Sequence, residues 1–107
     1  MTAEAVLRAI GEPQRVRILR LVGDGELAAG EIAAHFAITA QAVSQHLRVL
    51  KNAEVLTERR DGTRRLYSVR PEAIESVRAF LEELWPPALA RLKVAVESEQ
   101  KRKQCPS

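Results

Sequence analysis

One stretch near the middle of the chain, Ala40–Ala53, restricts the fold more than any other. Set at about 100° per residue, Val43, Leu47 and Leu50 fall in one narrow stripe, and Gln41, Ser44, Gln45, Arg48, Lys51 and Asn52 fall opposite. Such a helix lies on a core by one edge and leaves the other in the open. Thr39 is placed to cap its start. No acid enters the outer set before Glu54, whereas an ordinary surface helix mixes Glu with Lys. These groups suit nucleic acid: Gln pairs bidentately with adenine, and Arg and Lys meet guanine or phosphate.

The flanking sequence supplies a frame for that helix. A first helix runs from a Thr2 cap to about Ile10, with Val6, Leu7 and Ile10 on one side, and Gly11 ends it. Pro13 opens a second helix, with Val16, Ile18, Leu19, Leu21 and Val22 as its apolar pattern. Gly23-Asp24-Gly25 breaks the chain, and Glu26 and Leu27 form a short strand. A third helix over about Ala29–Phe36 puts Ile32, Ala33 and Phe36 on one face, and Ala37-Ile38-Thr39 links it to the fourth. Two short helices joined by three residues are the frame of a helix-turn-helix, whose second helix enters the major groove of double-stranded DNA.

Val55–Arg60 and Arg64–Val69 then read as strands joined at Asp61-Gly62, a favoured hairpin turn. Alternation sends Leu66 and Tyr67 to opposite faces, so only part of the hairpin is core. From Pro71 a last helical region reaches about Lys103, interrupted at Pro86-Pro87, where the rings remove donors and clash with the preceding turn. The architecture is mainly α with a small β-hairpin: one domain over residues 1–100 and a basic tail over 101–107.

The net charge of +3 says little until it is located. Residues 40–70 carry seven cations against three acids, between two segments with an acidic excess, as expected of a localised polyanion footprint. Arg59, Arg60, Arg64 and Arg65 crowd one turn with Thr63, a composition suited to phosphates or the minor groove. The alternative is an exposed charged turn that discourages edge pairing. On the fourth helix Gln41, Ser44 and Gln45 are the base-contact candidates, and Arg48, Lys51 and Asn52 the phosphate contacts. His46 projects beside the apolar stripe, either packed or touching a phosphate from the groove edge. His35 stands alone and is read as no ligand.

Other classes fall away. There is no Gly-rich phosphate loop, no carboxylate pair with an evident cleft, and no Cys–His or Ser–His arrangement, so no catalytic residue, cofactor or enzymatic activity is expected. No apolar run approaches the ~20 residues of a membrane span. The one cysteine, Cys105, allows neither a disulfide framework nor a multi-cysteine zinc site and suits a reducing cytoplasm.

On the last helix Ile74, Val77, Leu81, Leu84, Ala88 and Leu92 recur at three- and four-residue steps, with Phe80, Trp85, Leu89 and Val96 beside them. That is more apolar surface than one small core covers, so a homodimer is expected. Its two reading helices would sit about 34–36 Å apart and ask for an inverted-repeat operator. The competing reading is a protein-assembly module whose basic hairpin binds an acidic partner. The polar outer face of the fourth helix speaks against it, because protein interfaces favour aromatic anchors.

Glu31-Ile32-Ala33 through Phe36, Ala42-Val43-Ser44-Gln45-His46-Leu47-Arg48-Val49-Leu50, and Arg59-Arg60-Asp61-Gly62 through Leu66-Tyr67 together resemble the ArsR/SmtB winged helix-turn-helix repressors, with the likeness running over about residues 3–85. The resemblance implies a homodimeric DNA-binding transcriptional regulator, usually repressing its own operon. It also implies an interface built by the first and last helices, here Val6, Leu7, Ile10, Val77, Leu81, Leu84, Trp85, Ala88 and Leu92. Metal-sensing members carry cysteines where this chain reads Glu26–Gly30, or Asp and His on the last helix, where residues 71–103 have neither. No sensory metal is therefore expected, and the inducer is not named by the sequence. Glu54 stands where the family commonly has Gly, and Ala28 replaces the usual capping Ser or Thr. A Glu in the left-handed region costs about 1 kcal/mol, so a different helix end is anticipated there, and the start of the third helix is open.

Overall fold

The computed structural model describes residues 2–84. Five helices and three strands follow one another as α1 (Ala3–Ile10), α2 (Pro13–Val22), β1 (Glu26–Ala28), α3 (Ala29–Ala33), α4 (Ala40–Asn52), β2 (Leu56–Asp61), β3 (Arg64–Val69) and α5 (Pro71–Leu84). The chain divides into two units, 1–77 and 78–107; of the second only 78–84 is described. The expected interface residues Trp85, Ala88 and Leu92, the Pro86-Pro87 interruption, the basic tail and Cys105 lie outside the described residues.

Local chemistry sets the helix boundaries. Thr2 Oγ1 accepts from the Ala5 amide at 3.2 Å and starts α1. The start of α2 is capped by Glu12, whose Oε2 accepts from the Arg15 amide at 3.1 Å, just ahead of Pro13. Gly23 ends α2 at a φ of 58°, a conformation that a side chain would strain. Ala28 has no side-chain acceptor to offer α3; instead Glu31 reaches back to accept from the Ala28 amide at 3.2 Å. That is half of a capping box, supplied from inside the helix.

The third helix is shorter than the sequence pattern suggests. It stops at Ala33, and the expected turn to Phe36 closes as tight i→i−3 bonds, His35 N to Ile32 O and Phe36 N to Ala33 O, both 3.1 Å. Five residues are too few to hold a helix by propensity alone, so burial of Ile32 sets its extent.

The end of α4 corrects another expectation. Glu54 does adopt the left-handed conformation, at φ 61°. Its amide bonds Lys51 O at 2.9 Å and the Val55 amide bonds Leu50 O at 2.9 Å. This is a Schellman ending, with Val55 and Leu50 both fully buried as its hydrophobic clasp. The bonds and the clasp outweigh the ~1 kcal/mol that a side chain costs there.

The sheet has three strands, ordered β1-β3-β2 and antiparallel throughout. The sequence pattern anticipated β1 but not its partner: Glu26, Leu27 and Ala28 pair with Ser68, Tyr67 and Leu66. Pairing of β2 with β3 runs out to Asp61 opposite Arg64, so the hairpin turn is Gly62-Thr63, one residue later than expected. Gly62 has φ 64° and Thr63 is not left-handed, as a two-residue turn beginning with Gly requires. Leu66 and Tyr67 do face opposite ways, yet both are buried: Tyr67 joins the main core, and Leu66 lies between Ala28 and Arg59 on the other face. The Val55 carbonyl accepts from the Arg70 amide at 2.8 Å just before α5 begins.

The core gathers Val6, Ile18, Ile32, Val43, Leu47, Leu50, Val55 and Leu56, all fully buried, with Tyr67 and Ala73. Each aliphatic side chain of this size stabilises the fold by about 1.5–3 kcal/mol. Val6, expected at a dimer interface, is instead wholly enclosed by its own chain and has no surface to offer. Val77 also packs, partly buried, against this core. Ile74 and Leu84 on α5 are about half exposed, at 48% and 50%.

Candidate DNA-binding face

The apolar stripe of α4 seats the helix and thereby decides which side chains remain outside. Val43, Leu47 and Leu50 are buried; Gln41, Ser44, Gln45, Arg48, Lys51 and Asn52 are all exposed. Thr39 caps the helix, its Oγ1 accepting from the Ala42 amide at 3.1 Å, and stands exposed where α4 starts. Val49, which the projection left unassigned, is also exposed.

His46 belongs to the flank. Its Nδ1 accepts from Arg15 Nε at 3.3 Å and lies 3.7 Å from Glu12 Oε2. Of the two sequence expectations, the packed one describes its surroundings. His35 bonds the Glu31 carbonyl through Nδ1 at 2.9 Å, so that nitrogen carries a proton.

The hairpin holds its cations differently. Arg59 donates to both oxygens of Glu26, at 3.1 and 2.7 Å, and Arg64 donates to Glu31 at 2.5 Å. The register explains the first pair. Arg59, Leu66 and Ser68 share a face with Glu26, so the arginine crosses the central strand to reach the far edge. The guanidinium bonds hold the Glu26 carboxyl below the usual carboxylate range. Arg48 and Arg60 form no ion pair among the described residues. Thr63 is exposed at the hairpin tip.

Helix and hairpin meet over Glu58. It accepts from Lys51 of α4 at 2.9 Å, lies 3.8 Å from Arg65 Nε, and receives the Tyr67 hydroxyl at 3.4 Å. Its side chain is only 14% exposed, and the Lys51 hydrogen bond keeps its carboxyl low despite that burial. Burial, then the Glu58 charge, pushes the Tyr67 hydroxyl up. A cleft of about 320 Å³ opens here, lined by Ser44, Arg48, Lys51, Asn52 and Arg65 among others. Sequence reasoning missed Glu58 as an organiser of this cleft. Strand alternation held the signal, since Glu58 lies directly opposite Tyr67.

Comparison with known proteins identifies this arrangement. Residues 12–58 match the family model of the bacterial regulatory proteins of the arsR family. The chain is 36% identical over 92 residues to the HTH-type transcriptional regulator Rv2034 of Mycobacterium tuberculosis, spanning 86% of each chain. The chain belongs to the ArsR family. It is a winged helix-turn-helix transcriptional regulator and not an enzyme.

A second ArsR-family relative, the transcriptional repressor SdpR of Bacillus subtilis, is 40% identical over 70 residues, 65% of this chain and 78% of the relative. Among solved structures, a possible transcriptional regulator for arsenical resistance superposes with a TM-score of 0.71 at 38% identity, covering 84% of this chain and 94% of that one. The homodimeric winged helix-turn-helix domain of Mb0332 from Mycobacterium bovis superposes at 0.60 with 29% identity, covering 79% and 76%. In the winged helix-turn-helix fold that this chain shares with its relatives, α3 and α4 are the helix-turn-helix and β2–β3 the wing. The stretch Glu26–Gly30, where metal-sensing members were expected to differ, forms β1 and the first turn of α3. Glu26 and the neighbouring Glu31 are engaged by wing arginines. Among the described residues no helix is long and apolar enough to cross a membrane, and no three His, Cys, Asp or Glu side chains group around a possible metal.

Proposed function

We propose that the chain is a repressor that binds an inverted-repeat operator upstream of its own gene as a homodimer, in the cytoplasm. The observation that carries this reading is the outer face of α4: six exposed polar or cationic side chains and no acid, seated by a buried stripe opposite. Gln41, Ser44 and Gln45 read base edges; Thr39, Arg48 and Lys51 engage phosphates, as do Arg59, Arg60, Thr63, Arg64 and Arg65 on the wing. Dimerisation uses the partly open side of α1, Leu7 and Ile10, with α5 residues such as Ile74, Leu81 and Leu84. The homodimeric state of the Mb0332 domain supports that assembly. Phosphates supply most of the affinity and α4 the selectivity.

The test is binding of purified protein to its own upstream DNA and to a scrambled duplex across a salt series, with mass measured in the same buffer. Salt-sensitive, sequence-selective binding by a dimer is the expected result. A monomer indifferent to sequence at physiological salt overturns the reading and favours the protein-assembly alternative.

A further inference from the structure

Burial of Val43, Leu47 and Leu50 seats α4 on the core and sets which face looks outward, and within that seat the fine rotation of the helix about its own axis is left to directional contacts. Directional side-chain bonds do that work. Among the described residues, α4 makes such bonds with other elements at two places: Lys51 donates to Glu58 near its end, and His46 accepts from Arg15 near its middle. The second is part of a larger tie. Arg15 also donates through Nη1 to Ala9 O at 3.0 Å and reaches Arg8 O at 3.5 Å. Both carbonyls belong to the last turn of α1, where no helical partner exists for them. One guanidinium therefore spans α1, α2 and α4, and Glu12 stands beside it, its carboxylate already accepting from the Arg15 amide.

The chemistry of the bond is one-sided. An arginine Nε always carries a proton and only donates, so His46 Nδ1 is the acceptor. Neutral His46 must then hold its proton on Nε2. His46 follows directly on Gln45, the expected base reader, so any rotation of the helix about its axis that moves one carries the other with it.

We propose that Arg15 is a positioning residue for DNA reading: through His46 Nδ1 it fixes the rotation of the recognition helix, and so the aim of Gln45, relative to α1 and α2. It touches no DNA itself. The proposal rests on the DNA-binding reading above, and its test separates the two.

The first arm uses the DNA-free protein. The ¹⁵N shifts of the His46 ring should show an unprotonated Nδ1 in the wild type and a tautomer mixture in Arg15→Met, which keeps the aliphatic stem. A mixture already in the wild type overturns the proposal, whatever the DNA result. The second arm is a double-mutant cycle on the duplex the wild type selects, with folding checked by circular dichroism. Arg15→Met and His46→Leu should each weaken selective binding about tenfold, and the double variant no further, because both break one tie. Binding to scrambled DNA and the salt slope should stay unchanged. Losses that multiply to about a hundredfold, or a salt slope lowered by about one in Arg15→Met, overturn the proposal, the latter because it marks a phosphate contact. Should Arg15→Met not fold, His46→Asn decides, since its Oδ1 stands near the place of Nδ1. Asn regains most of what Leu loses if the tie matters, and regains nothing if it does not. Failure of the wild type to select any duplex would sink the DNA reading, leaving the tautomer arm to judge Arg15.

Discussion

Helix α4 and the wing are both basic, yet they carry their charge differently. On α4 Gln41, Ser44, Gln45, Arg48 and Asn52 meet no acid among the described residues, Lys51 alone reaches one at Glu58, and burial of Val43, Leu47 and Leu50 on the reverse side keeps all six outside. On the wing, Arg59 and Arg64 are held by Glu26 and Glu31, acids that arrive from β1 and α3 because β1 pairs with β3. The helix is thus seated by its core contacts and presents a row of hydrogen-bonding groups of which, among the described residues, only Lys51 is engaged by an acid. The wing is positioned by strand pairing and by burial of Leu66 and Tyr67, and two of its arginines are already engaged by carboxylates with which phosphates would compete on the proposed reading. On the proposed DNA-binding reading, the first arrangement would supply selectivity and the second would restrain indiscriminate binding.

Five experiments bear on that contrast. The largest effect is expected where burial places the helix: Leu47→Ala should cost about 2–5 kcal/mol in urea unfolding, and a loss below 1 would mean α4 is seated by something other than its stripe. Next comes Gln45→Ala, which should remove about 1–3 kcal/mol of discrimination at one operator position while binding to scrambled DNA is kept. Equal loss on every sequence would end its role as a reader. On the wing, Arg59→Ala combined with Arg64→Ala should weaken binding to all sequences and lower the salt slope by up to about two. If the slope stays put, the ion pairs keep these arginines from DNA altogether, and Arg60 becomes the wing contact to test.

Two smaller effects concern stability. Glu54→Gly should raise it by about 1 kcal/mol in thermal melts by relieving the left-handed glutamate, and an unchanged midpoint would show that the glutamate makes up the difference by its own interactions. Glu58, whose carboxyl is held low by Lys51, contributes stability above the unfolded carboxylate pKa. That contribution fades as pH falls through its lower folded value. Melts of Glu58→Gln should therefore show a shallower decline on the acid side than the wild type, and parallel curves would remove Glu58 from the cleft's energetics.

Much of this was legible in the residues, and the parts that were not have physical reasons. Periodicity found α4 and its two faces because a stripe over thirteen residues is a strong signal. Thr2 and Thr39 announced their caps by side-chain type alone. The wing's arginines were visible as charge, but their partners were not, because Glu26 and Glu31 are each thirty-three residues away from the arginine they meet. Only the β1–β3 pairing brings them together. The premature stop of α3 and the left-handed Glu54 share one cause: tertiary burial of Ile32, Leu50 and Val55 overrode local preference. Val6 was misplaced for a similar reason, since a helix side that looks free in projection can be the one the core consumes.

The backbone of Val55 has a mechanical consequence. Its N–H is bonded back to α4 and its carbonyl receives Arg70 at the threshold of α5. The wing is therefore a loop shut at its base, like a buckled strap. The end of α4 and the start of α5 are joined at that buckle independently of the tip, at Gly62-Thr63, far along the strap. Residues added or removed in pairs at the tip would lengthen or shorten the wing without disturbing that closure, so on the proposed reading the wing's reach along DNA and the aim of α4 would be separately adjustable.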